Sequence, residues 1–294
     1  MKKQFLMENS PWISRVAENY ARETVINDEL LNRLICGAIK EALNFYITFL
    51  DVDIDTFDFH QLGSKYKRHY LEAKEIGLFE QGGVREKDHL NFWCLSQVLN
   101  PSCYIESGVF IGSSLHAFLD NIALKKVIAI DPDLSKLKLS ISSNSKFELV
   151  GDKDFSELKI DGVPQNTLVY FDDHIDSANR IISAKKLGIK YLIFDDSTGL
   201  QGITQRLYPA LPTVPMIMKH DLYQIGDEIS WSINHPKIGI SRQLVTISKE
   251  LLEQCALAKR LIKRVQKLPD LGDYIPLKHP TPMNDMTKYI LELY

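Results

Sequence analysis

Acidic residues fall where short apolar runs end. Glu106 follows Tyr104-Ile105, and Asp131 follows Lys126 to Ile130. Gly151-Asp152 follows Phe147 to Val150, Asp172-Asp173 follows Thr167 to Phe171, and Asp195-Asp196 follows Tyr191 to Phe194. Runs of this length bounded by turn residues read as strands. In an open parallel sheet, ligands bind outside the carboxyl ends of the strands. Carboxylates collected there can accept hydrogen bonds from hydroxyls or take up a proton. Each could instead cap a helix or form a turn, but five strands in succession ending in acid is more than capping explains.

The first of these ends is a loop, Glu106-Ser107-Gly108-Val109-Phe110-Ile111-Gly112-Ser113-Ser114. Gly108 permits a tight turn out of the strand, and Gly112 lets the following helix start close to a ligand. The spacing E-x-G-x-x-x-G is not the G-x-G-x-x-G of a pyrophosphate cradle, which counts against a dinucleotide. Asp131, nineteen residues past Gly112, can accept hydrogen bonds from both hydroxyls of a ribose. Asp152 can accept from an adenine amino group.

The elements that must position these residues alternate. Between the apolar runs lie helical segments, the clearest being Ser177 to Leu187, closed by Gly188. Strand, helix and strand at this spacing predict right-handed βαβ units and a mostly parallel sheet with helices on both faces, an α/β fold. Residues 81–248 form that predicted domain. Residues 1–80 read as a helical appendage. Apolar residues from Leu30 to Phe49 follow helical spacing, and a second helix is expected from Ser64 to Ile76 with Gly77 as its cap. A further helix fits Glu86 to Leu99, where Phe92 and Trp93 read as core. Residues 249–294 are expected to form a basic amphipathic helix, Glu250 to Lys267, and a proline-rich tail over the surface. Before it, Glu228 to Ile233 and Ser241 to Ser248 read as two closing strands.

Composition bounds the partners. The chain of 294 residues carries 35 basic and 38 acidic residues, net −3, so no basic excess points to nucleic acid. Lys259, Arg260, Lys263, Arg264 and Lys267 read as a charged helix face without the aromatic partners of a nucleic-acid groove. Cys36, Cys94, Cys103 and Cys255 form no C-x-x-C pair, which fits a reducing compartment. The opening Met1 to Glu8 has no apolar h-region, and Leu34 to Leu50 is interrupted by Lys40 and Glu41. The expectation is a cytoplasmic protein with no membrane span. The wide apolar face of the first long helix must be buried, over the active-site edge or against a second copy of the chain.

Four stretches together resemble a class I S-adenosylmethionine-dependent methyltransferase. They are Tyr104-Ile-Glu-Ser-Gly-Val-Phe-Ile-Gly112, Val127-Ile-Ala-Ile-Asp131, Val150-Gly-Asp152 and Leu168-Val-Tyr-Phe-Asp-Asp173. The resemblance covers residues 82 to 248, a little over half the chain. It implies a Rossmann-like methyltransferase fold, with the methionine moiety near Glu106, Gly108 and Gly112, the ribose on Asp131 and the adenine near Asp152. Within that superfamily, Phe171-Asp-Asp-His-Ile-Asp176 and Phe194-Asp-Asp196 are similar to the macrocin O-methyltransferase and cephalosporin hydroxylase-like group. That similarity implies magnesium as a second cofactor, with Asp172, Asp195 and Asp196 as its ligands; a shift of one residue makes Asp173 the ligand. His174 then stands where the macrocin group carries a catalytic acid, a departure that leaves the base to His174 or Asp173. The group's long substrate-binding insertions are not recognisable here.

A sugar hydroxyl is a poor nucleophile at neutral pH. A hard cation held by oxygen ligands can lower its pKa, and a neutral imidazole can take its proton. The expected function is therefore methyl transfer to an oxygen of a small polyhydroxylated metabolite or sugar. Two alternatives stay open: a nucleotide-sugar or NAD-dependent enzyme on a similar sheet, and a non-catalytic module that keeps the cofactor pocket. His69, beside Tyr66 and Tyr70 on a basic segment, reads as part of a solvated helix face, and His116 as structural.

Overall fold

A computed structural model describes residues 28–52, 57–79, 84–140, 146–160, 162–195, 204–205, 208–209, 211–235, 239–274 and 287–294. Three helices come first: α1 (Asp28–Leu50), α2 (Phe59–Glu75) and α3 (Glu86–Leu99). The alternating region follows as β1 (Cys103–Ser107), α4 (Ser113–Leu119), β2 (Lys126–Ile130), β3 (Phe147–Val150), β4 (Thr167–Phe171), α5 (Ser177–Lys186) and β5 (Tyr191–Phe194). Two short strands pair as β6 (Thr204–Gln205) and β7 (Tyr208–Pro209). Then come α6 (Val214–Met218), the hairpin β8 (Glu228–His235) and β9 (Gly239–Thr246), α7 (Lys249–Leu261), β10 (Ile262–Lys267) and β11 (Tyr289–Leu293).

Seven strands form the main sheet in the order β10-β11-β5-β4-β1-β2-β3. Strands β1 to β5 run parallel, and β11 is antiparallel to both β5 and β10. Five parallel strands are thus extended by antiparallel β11 and by β10, which runs with the five, the mostly parallel sheet that was expected. Residues alternate faces along each strand, as pleating requires. Tyr104, Val127, Ala129, Leu168 and Tyr170 join the core under α1, α3 and α4. Ile105, Ile128, Ile130, Val169 and Phe171 join the core under α5 and α7. Both faces are covered, which is why the strands are near-continuous apolar runs.

The apolar face of α1 is buried within the chain itself. Ile39, Leu43 and Tyr46 belong to the same core as Phe92 and Trp93 of α3, and the Tyr46 hydroxyl donates to Asn91 Oδ1 at 3.0 Å. Helix α2 begins five residues before the expected Ser64. Asp58 is its N-cap, accepting from the amides of His60 and Gln61, and Gly63 lies inside the helix because a Cβ there would stand 2.7 Å from Cys36 Sγ.

The C-terminal region departs most from expectation. The expected helix from Glu250 to Lys267 ends at Leu261, and Ile262–Lys267 is strand β10. The described end of the tail is not a surface wrap: β11 lies inside the sheet, so the sheet domain continues past residue 248. Lys263 Nζ and Arg264 Nε reach Glu292 of β11 at 2.8 and 3.1 Å, which divides the expected basic helix face. The strands β8 and β9 form a separate two-stranded sheet and do not close the main one. Among the described residues, no helix is long and apolar enough to cross a membrane. The Gly82-Gly83 break and the chain from Asp196 to Ile203 lie outside the described residues.

Candidate active site

The chain runs outward from β1 through β2 to β3, then returns to β4 on the other side of β1. The reversal opens a crevice at the carboxyl ends of β1 and β4, the usual ligand position in such sheets. The loop after β1 and the loop after β4 meet there. Gly108 has φ +92°, and a Cβ on it would lie 2.4 Å from the Asp172 carbonyl oxygen. The glycine therefore serves the turn and also lets the two loops touch. Gly112, with φ +87°, caps α4, and a Cβ on it would meet Leu137 and Leu139. Its immediate neighbours are thus side chains of the segment after β2.

Two acids shape the glycine loop. Asp131 accepts from the Phe110 amide through Oδ2 and from the Asp133 amide through Oδ1, both at 2.8 Å. An ionised carboxylate has about four acceptor sites, so an oriented acceptor remains for hydroxyls. Glu106 is buried beneath the loop. It accepts from Tyr104 Oη at 2.6 Å and from Ser114 Oγ at 2.5 Å. Burial pushes its carboxyl up to about 8, against the opposing pull of Ser114 and Tyr104. Asp152 lies exposed one residue past Gly151, whose Cα region adjoins the Asp131 carbonyl.

The loop after β4 separates its candidates. Asp173 accepts from Ser107 Oγ at 2.5 Å and pairs with Arg180 at 2.7 Å. Arg180, buried on α5, also grips Asp154 with two hydrogen bonds of 2.8 and 2.6 Å and holds that carboxyl far below the usual range. Its guanidinium lies over the rings of Phe155 and Phe171. His174 has φ +54°, and its Nε2 stands 3.8 Å from Asp172 Oδ1. Asp176 is the N-cap of α5, accepting from the amides of Ala178 and Asn179.

Asp195 ends β5, beside β4. It is partly buried, accepts from Tyr170 Oη at 2.7 Å and pairs with Lys288 Nζ at 2.9 Å. Lys288 also reaches Asp88 of α3 at 3.2 Å. The Tyr170 phenol is raised well above its usual range by burial and by the charges of Asp172, Asp195 and Glu106; these acids surround one hydroxyl. Asp196 lies outside the described residues. Of the three residues that the resemblance implied as magnesium ligands, Asp172 and Asp195 are described, and Asp195 is paired with the Lys288 ammonium.

Arg180 and Lys288 are the residues that the sequence did not disclose. Arg180 reaches Asp154 across 26 positions of the chain, and Lys288 reaches Asp195 across 93. The one local signal was a basic residue between the buried Ala178 and Ile181 of α5.

No protein-family model matches the sequence, and no curated protein matches it. Solved structures do resemble it. The methyltransferase PaMTH1 of Podospora anserina, bound to S-adenosylhomocysteine, is 10% identical over 93% of this chain and 99% of its own, with a TM-score of 0.44. The O-methyltransferase TomG of Streptomyces achromogenes, from tomaymycin synthesis and in complex with S-adenosylmethionine, is 15% identical over 83% and 100%, TM-score 0.35. The cmcI protein with magnesium and S-adenosylmethionine is 17% identical over 73% and 76%, TM-score 0.38. The fold assignment rests on strand order and direction.

Proposed function

We propose that the chain is an S-adenosylmethionine-dependent O-methyltransferase acting on a small polyhydroxylated molecule. The observation that carries this reading is the crevice between β1 and β4, where a positive-φ glycine loop is held from below by Glu106 and from the side by Asp131. The donor set suits the cofactor: Asp131 for the ribose hydroxyls, the loop from Gly108 to Gly112 for the methionine end, and exposed Asp152 for the adenine edge. When bound, the cofactor supplies an electrophilic methyl group on a sulfonium.

The chain's own work is to orient an acceptor hydroxyl and remove its proton. Asp173 is a poor base, since Arg180 and Ser107 already engage its oxygens. His174, partly exposed beside Asp172, is the better one. Its imidazole would take the hydroxyl proton, leaving the oxygen to accept the methyl group that bound S-adenosylmethionine would supply. Asp172 then stabilises the imidazolium.

Calorimetry with S-adenosylhomocysteine, and with NAD as the competing ligand, tests the reading. Binding of the first alone is expected, and Asp131→Ala should weaken it by about 1–3 kcal/mol, the usual loss for a hydrogen bond to a charged group. Binding of NAD in its place would overturn the reading.

A further inference from the structure

Three histidines meet on the far side of the glycine loop's helix. His69 comes from α2, His89 from α3 and His116 from α4, and all three are buried. One ring nitrogen from each lies within 4.8 Å of the others, the one such group of potential metal ligands among the described residues. His89 Nε2 stands 3.1 Å from His116 Nδ1. His69 Nε2 donates to the His116 carbonyl at 2.9 Å. The outer nitrogen of His89, Nδ1, is 3.1 Å from the Tyr66 hydroxyl.

We propose that His69, His89 and His116 form a zinc site that ties α2 and α3 to α4. Imidazole nitrogens suit zinc, at about 2.0–2.1 Å each in a tetrahedral arrangement. Such bonds set ligand nitrogens roughly 3.3 Å apart. The His89–His116 pair is close to that spacing, and the His69 ring, stacked on His116 with centroids 4.0 Å apart, must turn to join them. An orienting partner is also in place. With Nε2 on the metal, His89 donates Nδ1–H to Tyr66 Oη, the outer hydrogen bond that ligating histidines normally make. Tyr66 can pass its own proton toward the Glu86 carbonyl at 3.5 Å.

Metal binding needs each imidazole in its neutral form. The rings of Tyr66, Phe79 and Trp93 wall the cluster. Asp120, paired with Lys65 at 3.0 Å, lies near enough to His69 and His116 to bear on both.

The test is a cobalt titration of the full, tag-free chain after stripping with a strong chelator. One equivalent is expected to give the visible absorption of a tetrahedral imidazole site, which zinc then displaces. His89→Gln and His116→Gln should each weaken binding at least tenfold with an unchanged circular-dichroism spectrum. Asp172→Asn should leave it intact. Absence of stoichiometric binding by the unaltered chain would overturn the site, whatever the variants do. So would binding that survives both histidine substitutions, or that disappears in Asp172→Asn, since the metal would then sit on the acidic edge. None of these outcomes depends on methyl transfer.

Discussion

Glu106 carries a charge decision inside the crevice. Its carboxyl titrates near 8, against an ordinary value of 4.5. Between those values the folded protein holds a proton that the unfolded chain has lost, so this residue makes stability fall as pH rises from about 4.5 to about 8. Its favourable share is fully present below the lower value and gone above the upper one. The buried histidines give the opposite slope, but only below their unfolded value of 6.5, where the unfolded chain binds protons that they refuse. The window from about 6.5 to 8 therefore isolates Glu106. Glu106→Gln keeps the shape and removes the titration. Urea unfolding of both proteins from pH 6.5 to 8 should show a declining stability for the unaltered chain and a flat one for the variant. Parallel curves would mean that the carboxyl is ionised in the native state.

Among the elements, the two loops that meet at Gly108 set the site. Gly108→Ala adds a Cβ at 2.4 Å from a backbone carbonyl, in a region of φ that alanine avoids. Strain of this kind costs about 1–3 kcal/mol, and the clash must also push the loops after β1 and β4 apart. S-adenosylhomocysteine binding should be lost. Gly188→Ala is the control, since its φ is +77° but nothing lies within 4 Å of the added atom; it should cost stability and leave binding alone. Equal effects of the two would show that loop contact is unimportant.

The elements also show what a sequence can disclose. Strands β1, β2, β4 and β5 were legible to within a residue or two because both faces are buried, which makes each a short apolar run between polar turns. Glu106 and Asp131 could be placed for the same reason. Strand β10 was not legible. Ile262 and Val265 continue the helical spacing of α7, and what makes the segment a strand is pairing with β11, more than twenty residues later. His69 read as solvated because Lys65, Lys67 and Arg68 surround it in the chain. The packing of α2 on α3 and α4 buries it instead. Long-range partners, as for Arg180 and Lys288, leave no local pattern to read.

At the scale of the whole molecule, β11 joins β10 to the rest of the sheet. Leu291 at its centre is fully buried among Ile105, Val169 and Leu192 in the core under α5 and α7. Leu291→Ala should cost about 2–5 kcal/mol, the range for emptying a buried leucine site. Chemical denaturation should show it as one cooperative loss, with β10 and β5 melting together. A cost below 1 kcal/mol would mean that β11 is an accessory to the sheet.

The place of β11 also has a consequence for a chain still being synthesised. Ribosomes extend a chain by about 5–20 residues each second. Strand β5 is made nearly a hundred residues before its neighbour β11. For several seconds its outer edge is therefore an open row of amides and carbonyls, the kind that recruits strands from other chains. Lys190 and Tyr191 flank the start of that edge. A nascent chain stalled between residues 200 and 288 holds five parallel strands with one unsealed side. Holdase chaperones should engage that intermediate and release it only when Tyr289–Leu293 has emerged.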